Sequence, residues 1–254
     1  MMLAICSISS AILTLCQKKF NNMTLMPNLD AGLMAESQTL KQMLLEDIPP
    51  NFVKDLVDGM PGIYADTSQA MTADPGLGET QARYCLGYYR RSRVETFLQR
   101  LAVKHGIKHV ERQPEGGGPS HISVYVGRFE LVMCHVPSAD GFPQHSLDRQ
   151  EASKANEFIA QMDWVGEPEA PSTSRLYGVI IHSEQYRQKD TFGHIKVGFP
   201  NTDFNAWVEA PICLVDMRDI QARQLDEVED IQALVQKDSV RWKTGAKEED
   251  RKSG

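Results

Sequence analysis

Between Pro114 and Val136 apolar and polar residues alternate on either side of a two-residue break, a pattern that predicts a β-hairpin. Gly116, Gly117, Gly118 and Pro119 end the segment before it, and Gly127-Arg128 has the Gly-X form that suits the twist of a tight hairpin turn. Pairing Val126 with Phe129 puts Ile122, Val124, Val126, Phe129, Leu131 and Met133 on one face, which is core. His121, Ser123, Tyr125, Glu130, Val132 and Cys134 share the other, mixed face, and any function the hairpin carries is read there.

Helical spacing governs the flanks. Leu33, Met34, Leu40, Met43, Leu44 and Leu45 predict a helix over 31–48 that Pro49-Pro50 stops, and NFVKDLVDGM predicts a short second one. Gly59, Pro61, Gly62 and the ADPGLG run over 73–78 then read mostly as loop. The longest predicted helix runs from Glu79 to Gly106, with Val94, Phe97, Leu98 and Leu101 as its buried stripe. Arg90 precedes Val94 by four residues and so points toward that face, with Arg91, Arg93 and Arg100 further round. An arginine at such an edge is expected to snorkel to water; the other reading is an inward guanidinium that binds a carboxylate or phosphate.

Beyond the hairpin, PSADGFPQHSLD is loop, 149–162 a helix with polar faces, and GEPEAPSTS over 166–174 a linker-like stretch. IKHVER before the hairpin is a strand, LYGVII over 176–181 a strand buried on both faces, HIKVGFP one with a wet face, and PICLVDM over 211–217 another. An amphipathic helix carries Ile220, Leu225, Val228, Ile231 and Leu234, and the charged end, KTGAKEEDRKSG, reads as disordered. The expected fold is α+β: a mixed or antiparallel sheet of about five or six strands with a central hairpin, flanked by the long helix and the C-terminal amphipathic helix. The expected organisation is an N-terminal extension over 1–30, a helical arm and loop over 31–78, a core domain over 79–237 and a charged tail over 238–254.

With 254 residues, of which 41% are hydrophobic, there is enough apolar surface for a substantial core. A net charge of −7 gives no general attraction to nucleic acid or to an anionic membrane, so such binding must come from a local basic patch. The five cysteines are widely spaced without a CxxC pair, which points to reduced thiols in the cytoplasm rather than a disulfide scaffold or zinc site. Leu3 to Cys16 is apolar but too short to span a bilayer, and Lys18 and Lys19 follow it where a secretory signal would put them first. No membrane span is expected; the first twenty or so residues read as a dispensable extension or a small docked helix.

The order helix, strand, hairpin, helix, strand resembles the restriction-endonuclease-like core, in which an acidic residue near the second strand and an acidic-x-Lys set on the third bind metal and activate water. Here Glu130 is followed by Leu131 and Val132, and the second strand offers His121 and Ser123, so the likeness is one of order only. His121-Ile122-Ser123-Val124 is similar to the strand element of two-histidine phosphoesterases, whose paired histidines act as base and acid about a phosphodiester. The second half is incomplete: His194-Ile195-Lys196-Val197 has lysine where a hydroxyl is needed, and the plainer reading is a polar residue on a half-exposed strand.

Neither HExxH nor a close HxH pair occurs, so no metal and no cofactor is assigned. Cys134 falls across from His121, yet a cysteine in an apolar strand is ordinarily an inert small hydrophobe. The three glycines open a strand instead of a helix and do not follow a phosphate-loop pattern; Trp164 and Trp207, near loops, either anchor a partner or cap the core. The first expected function is a soluble binding or regulatory module that engages a protein or anionic ligand through the polar hairpin face and the basic helix. Arg90 and Arg93 are its ligand-binding candidates, and nucleic acid is a candidate partner through that cluster. The second is a divergent phosphodiesterase or nuclease, with His121, Ser123, Tyr125, Glu130 and His194 as its catalytic candidates.

Overall fold

The hairpin turn shows how sequence dictates geometry here. In the computed structural model, which describes residues 39–114, 117–139, 141–161, 175–186 and 188–229, strands β2 (His121–Val126) and β3 (Phe129–His135) pair antiparallel with Val126 opposite Phe129. Gly127 sits at φ 50°, and a Cβ there would run into the Asp47 carboxyl, so both backbone and space require glycine. That carboxylate accepts from the Arg128 backbone N–H and from its Nε, each at 2.8 Å, and clamps the turn to the end of helix α1 (Leu40–Asp47).

Four further strands complete a six-stranded mixed sheet in sequence order: β1 (Lys108–Arg112), β4 (Leu176–Gln185), β5 (Gln188–Gly198) and β6 (Ile212–Cys213). Only β3 and β4 pair in parallel; all other neighbours are antiparallel. The apolar hairpin face packs with α1, α2 (Pro50–Ala73) and α3 (Glu79–Lys104) in one large core that includes Phe52, Met60, Leu98, Phe129, Leu131 and Ile180. Residues 40–73 therefore belong to the sheet's own core. On the opposite face Val132, Val136, Tyr177, Val179, Ile181 and Phe204 form a smaller cluster, with Phe142, Ala152 and Trp207 against it. Trp207 covers Gly198, where a Cβ would meet its ring, so of the two readings for this tryptophan the structure has the core cap. Ala152 of α4 (Leu147–Ser153) packs on that face, while the 3-10 helix that follows, Lys154–Gln161, contributes Ile159 to the large core.

Burial of β4 from Leu176 to Ser183 agrees with a central strand covered on both faces. Three local expectations are corrected. The loop read at Gly59, Pro61 and Gly62 is the middle of α2, a helix of 24 residues. Pro61 costs about 3 kcal/mol in a helix interior, but buried Phe52, Val53, Leu56, Val57, Met60, Ile63 and Tyr64 carry the stripe across it. Each large apolar side chain returns about 1.5–3 kcal/mol. Gly59 has its own reason, since a Cβ there would strike the Phe97 ring of α3.

PICLVDM is strand only at Ile212 and Cys213; helix α5, described over 214–229, starts directly after. Its buried positions are Leu214, Met217 and Gln221, whose Nε2 donates to the Ile48 carbonyl at 2.9 Å, while Leu225 and Val228, further along the same stripe, are exposed. A short apolar run does not by itself separate strand from helix. Finally, the helix expected over 149–162 begins at Leu147, capped by Ser146 Oγ, and tightens to 3-10 from Lys154. The expectations for residues 1–38, the 166–174 linker, Trp164 and the tail from 238 lie outside the described residues. Among the described residues no helix is long and apolar enough to cross a membrane.

Candidate anion-binding cleft

The mixed face of the hairpin opens on a cleft of about 1430 Å³. Arg91 of α3, Arg112 of β1, His121 of β2, Glu130 of β3, Arg149 of α4 and Tyr177 of β4 line it, with Gly117, Gly118 and Pro119 at one edge. Arg91, Gln144 and Arg149 also line a second cavity of about 370 Å³, which continues past Cys134, His135 and Glu184. Strand pleat explains the convergence: His121 and Glu130 occupy the alternate positions opposite the core residues Ile122 and Leu131.

The cations differ in how far they are already neutralised. Arg112 donates to the Tyr125 hydroxyl at 2.6 Å and pairs with Glu130 at 3.0 Å. Arg91 reaches only the Pro119 carbonyl at 3.4 Å, and Arg149 the Gln144 carbonyl at 2.7 Å. Among the described residues neither has a carboxylate within ion-pair distance. His121 sits in their field: burial, then Arg149, Arg112 and Arg91, lower its pKa from the ordinary value, so its imidazole is neutral near pH 7. The neutral ring can then donate one hydrogen bond from its N–H to an anion's oxygen, or accept one from an anion's O–H at its other nitrogen.

Glu95 adds a titrating neighbour to Arg91 and Arg149. Burial pushes its carboxyl up to about 7, against the opposing pull of the Ile122 N–H, which donates to it at 2.8 Å, and of both arginines. A folded-state pKa raised above the ordinary 4.5 gives stability that is present below about pH 4.5 and lost as pH rises through about 7. His182 slopes the other way: burial, with the nearby His135 charge, lowers it to about 3, so its contribution is present above 6.5 and lost as pH falls. Comparison with Glu95→Gln isolates the first group. Between about pH 5 and about pH 8 the wild type should lose stability relative to the variant in urea titrations; parallel curves would contradict the burial of this carboxyl.

The sequence candidates divide. His121 and Glu130 line the cleft. Tyr125 shares their face but spends its hydroxyl on Arg112. Ser123 is fully buried, its Oγ without a hydrogen-bond partner among the described residues, and it lines neither cavity. His194, on β5, has its Nδ1 2.6 Å from Ser183 Oγ and also lies outside both cavities. Three strand spacings, about 14 Å, separate β2 from β5, so His121 and His194 do not flank one phosphodiester. Arg93 is exposed and borders neither cavity.

Arg90 does not snorkel, which corrects the edge-arginine expectation. It is 3% exposed, pairs with Glu184 at 2.9 Å, donates to Thr67 and Ser68, and lies 4.2 Å over the Tyr64 ring. The carboxylate an inward guanidinium would seek is thus the chain's own. Sequence reasoning assigned no role to Arg149, Glu95 or Glu184, and among the histidines neither His135 nor His182 completed a metal or two-histidine pattern; for Glu95 a signal existed, since it follows Arg91 by one helical turn. His135 and His182 are register partners across the parallel pair β3 and β4, which no local pattern reveals. Burial raises the Cys134 thiol above its ordinary pKa, which leaves it protonated near neutrality. Among the described residues no three His, Cys, Asp or Glu side chains are grouped so as to hold a metal ion.

No family model, curated protein or solved structure matches this chain.

Proposed function

We propose that this chain is a binding module for an anionic ligand, held in the cleft between α3, the polar hairpin face and α4. The observation that carries this reading is the pair Arg91 and Arg149, neither with a carboxylate within ion-pair distance among the described residues, both lining one cleft beside His121. Guanidinium groups present fixed, planar sets of donors to phosphate or carboxylate oxygens. Arg91 and Arg149 replace Arg90 and Arg93 as the ligand-binding pair in this reading, because Arg90 is internally paired and Arg93 faces away. Cysteines without close pairing favour the cytoplasm as the site of action.

Pyrophosphate is the simplest probe. Titration calorimetry at low salt should show binding to the wild type and a loss of tenfold or more in Arg91→Ala/Arg149→Ala, since each charged hydrogen bond contributes about 1.5–3 kcal/mol. Equal affinities in the two proteins would refute the reading.

One observation favours a second reading, hydrolysis of a phosphodiester: Glu95, at a pKa of about 7, and His121 flank the same arginines, so a proton donor or acceptor stands near the bound anion. Cleavage of DNA, RNA or a cyclic nucleotide, with or without Mg²⁺ or Mn²⁺, that His121→Ala and Glu95→Gln abolish would establish it; intact substrate after prolonged incubation would remove it.

A further inference from the structure

The smaller cavity has a wall that the arginines do not explain. Tyr84 and Tyr88 of α3 both line it, yet their side chains are among the most exposed large residues of the described chain, at 77% and 79%. With Arg91 they fall at i, i+4 and i+7, one stripe along a single helix face. The buried stripe of α3 is a different one, Arg90, Val94, Leu98 and Leu101, so these two tyrosines are not held for the core. Their hydroxyls make no hydrogen bond among the described residues, and the two rings make no contact with each other. Four residues of helix rise about 6 Å, so the two exposed tyrosines follow one another along the helix at close to the distance between alternate bases of a stack, about 7 Å.

A ligand that meets this stripe presents a flat apolar surface and, about one turn further on, an anionic group. It then continues into the larger cleft, where Arg149 follows. Bases and phosphates of a nucleic-acid strand alternate in this way. In a duplex the bases are stacked inside and present no free faces; a single strand exposes them. Resting on the anion-binding reading above, we infer that the ligand is single-stranded nucleic acid, with bases stacked on Tyr84 and Tyr88 and phosphates on Arg91 and Arg149. The chain's net charge of −7 makes this a local site rather than a general affinity.

Fluorescence anisotropy with a short labelled oligothymidylate, an abasic strand of equal length and the matching duplex, alongside pyrophosphate calorimetry, tests the inference. The oligothymidylate should bind at least tenfold more tightly than the abasic strand or the duplex. Tyr84→Ala and Tyr88→Ala should each weaken it by about tenfold, while Tyr84→Phe and Tyr88→Phe retain affinity and pyrophosphate binding stays unchanged in all four. If abasic strand, duplex and oligothymidylate bind alike, or the alanine variants bind oligothymidylate as the wild type does, the inference is wrong even though pyrophosphate still depends on Arg91 and Arg149. If pyrophosphate ignores those arginines, the underlying reading fails, and the inference with it.

Discussion

Replacing Glu184 by alanine is expected to lower the unfolding free energy by about 3–5 kcal/mol, measured by urea denaturation near pH 7. The reason lies in what remains. Arg90 would keep its charge at 3% exposure with only the hydroxyls of Thr67 and Ser68 and the Tyr64 ring for company. A buried ion pair adds little when intact, but an uncompensated buried guanidinium is costly. Glu184 also accepts from His135 Nε2 at 2.6 Å. Burial alone would raise the Glu184 carboxyl, yet the hydrogen bond and charge of His135, with the charge of Arg90, bring it down to about 2. A depressed folded-state pKa gives stability that is present above the ordinary 4.5 and lost as pH falls through about 2, so the wild type and Glu184→Ala should converge in acid. His135→Ala should cost far less, since that side chain is 43% exposed and Arg90 keeps its partner. A loss below about 1 kcal/mol in Glu184→Ala would mean that the pair behaves like a surface contact.

Asn156→Ala is expected to cost about 3 kcal/mol and also to weaken anion binding. Asn156 is 1% exposed and makes three bonds: its Nδ2 donates to the carbonyls of Tyr177 at 2.8 Å and Pro200 at 2.7 Å, and its Oδ1 accepts from the Tyr177 N–H at 2.8 Å. Alanine would leave these buried backbone groups without partners, each a desolvation cost of about 1–3 kcal/mol. Asn156→Asp should be no better, because a carboxylate faces two carbonyl oxygens with no proton to offer. The effect on binding follows from position. Asn156 fixes the 3-10 segment, and through it α4 and Arg149, against β4 and Tyr177, both of which border the cleft. A variant with wild-type stability in urea would show that this segment is held by apolar packing alone, through Ile159 in the large core.

These two residues also mark where the sequence could and could not be read. The hairpin was legible to the register because alternation and a glycine turn are local signals, and they placed His121 and Glu130 on the cleft face correctly. Arg90 was legible in direction, four residues before Val94, but its partner was not. Glu184 belongs to the unpredicted polar end of β4, and only the packing of α3 across the sheet brings the two together. Asn156 looked like an ordinary polar residue on a polar helix, and its role depends on two strands far away in the chain. Pro61 misled in the other direction, since local punctuation argued for a loop where a buried stripe holds a helix. The basic and aromatic YYRRSR cluster was visible, but helical geometry sorts it: Arg91 and Tyr88 face the cavities, Arg90 is buried in the wall of the smaller one, and Arg93 is exposed and borders neither.

The central claim, that Arg91 and Arg149 form an anion site beside His121, is tested most directly by locating a heavy oxyanion on the protein. Crystals soaked in tungstate should give an anomalous peak in the cleft within hydrogen-bonding reach of both guanidinium groups, and the peak should vanish in Arg91→Ala/Arg149→Ala. Peaks confined to other surfaces such as Arg93 and Arg100, with the cleft empty, would contradict it.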